Sequence, residues 1–103
     1  MDENQEILRG KQAHQLLENE LLNEALNSLE QKYETAWRNS KLSQVELREE
    51  AFRMLGAARE LRSYLTNLVN TGKLASTAQA QRVEQVDRER RLSEWDGGPD
   101  GQP

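Results

Sequence analysis

The sequence predicts an all-α protein: a long antiparallel helical hairpin over about 4–38 and 44–71, then a marginal third helix over about 76–95. Two long stretches repeat apolar residues at alternating steps of 3 and 4, the spacing that keeps one stripe of a helix against a partner. Only about five polar residues separate these stretches, so the helices are expected to lie side by side and antiparallel. Both prolines fall within the last five residues, where they interrupt neither stretch.

In the first helix Leu22, Leu26, Leu29, Tyr33 and Ala36 form the seam, and Leu16, Leu17, Leu21 and Ala25 widen it. Leu, Glu, Gln and Ala dominate the stretch, and all favour helix. Asn39-Ser40-Lys41-Leu42 breaks the pattern. Ser43 with Glu46 three residues on matches a capping box, and Leu42 with Leu47 matches a hydrophobic staple. That reading predicts that Ser43→Ala costs on the order of 1 kcal/mol.

The second helix has its expected seam at Leu47, Ala51, Met54, Ala58, Leu61, Leu65 and Leu68, with Phe52, Leu55 and Val69 beside it. Gly56, next to Ala57 and Ala58, is expected to admit another helix closely. Gly72 in Asn70-Thr71-Gly72-Lys73 reads as the residue that ends the helix. Glu18, Glu20, Glu24, Glu30 and Glu34 on the first helix complement Arg48, Arg53, Arg59 and Arg62 on the second. Beyond Gly72, Val83, Val86 and Leu92 supply only a thin apolar stripe. The chain therefore divides into a hairpin domain over 1–75, a third helix or partner-binding segment over 76–95, and a disordered tail over 96–103, D-G-G-P-D-G-Q-P.

Composition narrows the function. With 35% apolar residues, one His and no Cys, disulfide scaffolds and thiolate metal sites are excluded, and the chain is not expected to be an enzyme or to hold a cofactor or metal. His14 and Glu18 stand one turn apart, but Lys11 occupies the place where a di-iron bundle puts its Glu. Lys73 after Gly72 is no phosphate loop, because Asn67 and Leu74 stand where Gly and Ser or Thr are needed. The net charge of −4, and the acids interleaved among Arg82, Arg88, Arg90 and Arg91, argue against nucleic acid as a partner. No apolar run reaches the roughly 20 residues of a membrane span.

A two-helix hairpin leaves the back of a wide apolar stripe wet, so self-association into a homo-oligomeric bundle is expected, the alternative being a third helix folded back into a monomeric three-helix bundle. Leu22, Leu26, Leu29, Leu47, Met54, Leu61 and Leu65 are the residues expected to hold it together. Trp37 is expected to cover the closed end of the hairpin; Trp95 is expected either to anchor in a partner's pocket, with Arg88 and Arg91 as further partner-binding residues, or to cap the third helix against the bundle. Glu20 and Glu24 offer an acidic partner-binding face.

Leu16 through Ala25, then Trp37-Arg38-Asn39-Ser40, Arg48-Glu49 and Thr71-Gly72-Lys73-Leu74-Ala75 resemble a group of small helical proteins encoded by tailed bacteriophages. The likeness spans residues 13–75 and carries no catalytic or binding residues with it. It implies a phage context only, in which assembly and host-takeover roles gain weight. The leading expectation is a structural or adaptor role in particle assembly or DNA packaging, in the bacterial cytoplasm or on the virion. The alternatives are an acidic inhibitor or regulator of a host protein and a nucleic-acid-binding accessory protein using the basic face of the second helix.

Overall fold

A computed structural model of the chain describes the backbone of residues 1–96 and the side chains of residues 1–94. Three helices, α1 (Glu3–Leu17), α2 (Glu20–Arg38) and α3 (Val45–Asp96), make up the all-α architecture that the periodicity predicts. The helix α3 runs back along α2 and then along α1, while α1 and α2 follow one another with a break between them. At ~1.5 Å per residue α3 is ~78 Å long, and it sets the 86 Å length of the molecule. The expected disordered tail lies, apart from the backbone of Asp96, outside the described residues.

Three expected boundaries are corrected. The single first helix is two, because Asn19 leaves helical geometry and its side-chain oxygen accepts from the Leu22 N–H at 2.9 Å, capping α2. Asn23 then donates from Nδ2 to the Leu17 carbonyl at 2.5 Å, satisfying a carbonyl at the end of α1 from the first turn of α2. Asn19 carries no Pro or Gly beside it, so periodicity alone passes over the break.

Gly72 does not end a helix. Its φ is not positive, and α3 passes through it without interruption to join the expected second and third helices. The propensity cost of roughly 1 kcal/mol for a helical glycine is met by what Gly72 admits. A Cβ built on Gly72 would stand 2.9 Å from the Glu6 carbonyl oxygen and 3.0 Å from the Gly10 Cα. One built on Gly10 would stand 2.9 Å from the Gly72 Cα and 3.0 Å from the Leu68 carbonyl oxygen. The helices α1 and α3 thus cross backbone to backbone, and the close approach expected at Gly56 occurs here instead. Gly56 has nothing within 4 Å of an added Cβ.

The third correction concerns the α3 entry. Gln44, not Ser43, immediately precedes the helix: its carbonyl accepts the first helical bond from Arg48 at 3.0 Å, and its side chain accepts from the Lys41 N–H at 2.7 Å. Ser43 is one residue too early to cap α3.

The buried core is a narrow line: Ala13, Leu26, Ala51, Leu55, Ala58, Leu65, Val69 and Ala75. On α3 the line reads 51, 55, 58, 62, 65, 69, 72, a seam of 4 and 3 that shares Ala51, Ala58 and Leu65 with the expected one. Between the shared positions it is rotated by one residue, onto Leu55, Arg62 and Val69 instead of Met54, Leu61 and Leu68.

The glycine geometry separates two substitutions of the same kind. Gly56→Ala should raise stability by about 1 kcal/mol, because it adds helix propensity in open space. Gly72→Ala and Gly10→Ala should each lower it by about 1–3 kcal/mol, since two backbones must part. Thermal unfolding followed by circular dichroism reads the opposite signs directly. Ser43→Ala should move the midpoint by no more than about 0.5 kcal/mol, as at an ordinary surface position.

Candidate functional site

The flank of the hairpin that carries Arg62 is polar. Its guanidinium reaches Glu30 from α2 with Nε–Oε1 at 3.2 Å and Nη2–Oε1 at 2.8 Å, and it also donates to Asn27 Oδ1 at 3.1 Å and Asn23 Oδ1 at 3.4 Å. Arg59 adds a longer ion pair to Glu30 at 3.7 Å. Only these long, forked side chains at the core's edge can place charge in water while their stems cover apolar surface. The cluster fixes the register of α2 on α3, with residue 62 level with residues 23–30. The pairing of Glu30 with the arginines of the second helix is legible in the sequence; the place of Asn23 and Asn27 in it is not.

These contacts also neutralise much of the basic face of α3 on which a nucleic-acid reading depends. Arg48 is engaged as well, donating to Ser40 Oγ at 2.9 Å and lying 5.1 Å from the Trp37 ring centroid. That stacking sits at the closed end of the hairpin, with Trp37 still 41% exposed. Trp37, Leu42, Val45 and Phe52 nevertheless remain exposed around it, an apolar rim that the periodicity does not single out.

The structure separates the expected oligomer seam into two sets. Leu26 and Leu65 are buried at 2% and 8% exposure and belong to the core of the single chain. Leu22 is half-buried, whereas Leu29, Leu47, Met54 and Leu61 are 40–48% exposed. The expected partner-binding residues divide as well. Glu20 begins α2 and Glu24 follows one turn later, both exposed and outside the ion pairs among the described residues. Glu20 there also favours the positive end of the α2 dipole.

At the other end, α1 stops supporting α3 at two polar contacts. Gln79 Nε2 donates to Asn4 Oδ1 at 2.7 Å, and Arg82 pairs with Glu3. From residue 83 to residue 94 every residue is exposed, so roughly 20 Å of α3 projects past the hairpin. Arg88 and Arg91 lie on this projection, three residues apart and so on neighbouring positions of one helix face. Arg88 pairs with Glu84 at 3.2 Å along the same helix; the side chain of Trp95 lies outside the described residues.

His14 Nε2 sits 2.5 Å from Glu18 Oε1 on the exposed side of α1. Among the described residues no group of three or more His, Asp or Glu side chains converges on a point. Beside His14 runs an open groove of about 380 Å³ between α1 and α3, lined by Ile7, Val69 and the two crossing glycines and rimmed by Lys11 and Lys73. No described helix is long and apolar enough to cross a membrane.

No protein-family model, curated protein or solved structure matches this chain.

The polar cluster makes a measurable claim about register. Arg62→Ala should destabilise the hairpin by about 1 kcal/mol, a charge-assisted bond discounted for its partial exposure. A double-mutant cycle with Glu30→Gln, read by urea unfolding, should give a coupling of at least about 0.5 kcal/mol.

Proposed function

We propose that this chain is a non-enzymatic, oligomeric helical protein that acts as a structural or adaptor component in phage particle assembly or DNA packaging. The observation that carries the reading is the division of α3 into a supported part and a projecting part. The supported part is a stem with a core of its own. The projection has none, and it carries the mixture of Arg and Trp that protein interfaces favour. The shape is that of a connector: the radius of gyration is 24.7 Å, about twice the ~13 Å of a globular chain this long. The resemblance of residues 13–75 to small helical phage proteins supplies the context.

A second reading rests on Glu20 and Glu24. Two exposed acids one turn apart, outside the hairpin's own ion pairs, suit an inhibitor or regulator that binds a basic surface on a host protein.

Removing residues 83–103 tests the first reading. The stem should keep its unfolding midpoint to within about 0.5 kcal/mol, because residues 83–94 are all exposed. Incorporation into phage particles, or copurification with the packaging enzyme during infection, should be lost. Undiminished incorporation overturns the connector role. Capture of a single host protein that vanishes in Glu20→Lys/Glu24→Lys favours the second reading.

A further inference from the structure

We infer that one lateral face of the hairpin is the docking surface for a second copy of this chain, forming a two-fold four-helix bundle. The inference rests on the oligomeric reading above and names the surface that performs it.

The helix α3 carries two overlapping heptad lines. One, through Leu55, Arg62 and Val69, faces the rest of the chain. The other, Leu47, Met54, Leu61 and Leu68, repeats every seventh residue about 100° round the helix from the first. Both share Ala51, Ala58 and Leu65, small or central positions that let one helix serve two neighbours. The first line is covered by the rest of the chain along its length, whereas of the second only Leu68 packs against the core. Leu47, Met54 and Leu61 are 40–48% exposed, well short of burial for residues so regularly placed.

The helix α2 repeats the arrangement. Leu22, Leu29 and Ala36, also seven apart, are displaced from its buried Leu26 in the same sense. In an antiparallel pair, equal displacement on both helices leads to the same side. Arg62, Asn23 and Glu30 are displaced the other way and meet on the opposite side, at distances of 2.8–3.4 Å. The register they set puts Leu61 between the levels of Leu22 and Leu29. Leu22 and Leu68 already pack against the same core cluster of Ala13, Leu65 and Val69. The hairpin therefore has one polar flank and one apolar flank with no charge along its middle.

Periodicity, polarity and area together select the occupant. A seven-residue repeat on both helices calls for helices running alongside at a shallow angle, not a single crossing peptide. A face without central charge calls for an equally apolar partner of the same length, and the chain's own face meets that description under two-fold symmetry. From Leu47 to Leu68 the face is ~32 Å long, and two helices are ~20 Å wide with their side chains. Some 640 Å² per copy in projection clears the total of ~1,000 Å² that a specific interface requires. The chain also has area to lose: its accessible surface is 8164 Å², against ~5,900 Å² for a compact monomer of its mass.

The full-length chain, Leu61→Glu, Met54→Glu and the control Leu74→Glu should be compared by analytical ultracentrifugation, with circular dichroism to confirm helix content. Leu74 is a large apolar residue at 74% exposure, away from the face. The wild type and Leu74→Glu should sediment at twice 11.9 kDa, while the two face variants keep their helices and dissociate, with affinity lowered about 30-fold or more. Should either glutamate variant lose helix content, Leu47→Ser, near the end of the face, replaces it with the same expectation of weaker association. A wild type that stays monomeric at about 100 μM, far above typical dissociation constants for specific interfaces, overturns both this face and the oligomeric reading. An assembled wild type whose face variants assemble equally well overturns the face alone.

Discussion

The contact between Gly10 and Gly72 is the constraint on which the rest of the structure depends. With a Cβ on either residue, atoms would meet backbone at 2.9–3.0 Å, closer than α1 and α3 could tolerate without separating. Because the backbones touch there, the neighbouring residues need only be small or of moderate size. Ala13, Val69 and Ala75 complete the packing on either side, and α1 is held along the C-terminal half of the hairpin portion of α3. That support is what carries α3 through a stretch with turn-like composition, so tertiary packing overrides a local preference worth about 1 kcal/mol.

A thin core follows from the same geometry. Single small residues at the crossings bury little apolar area each, and the buried line on α3 mixes Ala and Gly with Leu and Val. The break at Asn19 keeps that line continuous across two helices. Asn23 bonds back to Leu17, and Arg62 bonds to Asn23 and Glu30, so the joint between α1 and α2 and the register of α2 on α3 share one polar cluster. Polar groups are used here for position, where apolar contacts would leave the helices free to slide.

The rotation of the α3 seam connects fold to function. A helix with one apolar stripe has one place to go; this one has two stripes that share every seventh residue. Folding of the single chain uses the stripe with Arg62 in it, since only that side meets Glu30 and the two asparagines. Leucines and a methionine are left on the other stripe. Past residue 82 neither stripe has a neighbour among the described residues, and the helix continues on its own propensity and on ion pairs at i, i+4 and i, i+3.

The all-α class, the two long amphipathic segments, their antiparallel pairing and the charge match of Glu30 with the arginines opposite are legible in the residues alone. Periodicity and a short connection suffice for these, because they are properties of each segment taken alone or of neighbours along the chain. Leu26, Ala51, Ala58 and Leu65 were legible as core because they lie on every version of the seam. Tertiary structure decided the rest. Met54 and Leu55 are equally apolar and one residue apart, so only the helix packed against α3 chooses between them. The local sequence marks Gly56 for close approach and Gly72 as a helix end, yet it is Gly72 that meets a second backbone. Whether a glycine ends a helix or lets two helices touch depends on what lies across from it, and that information is held by a residue 62 positions away, Gly10.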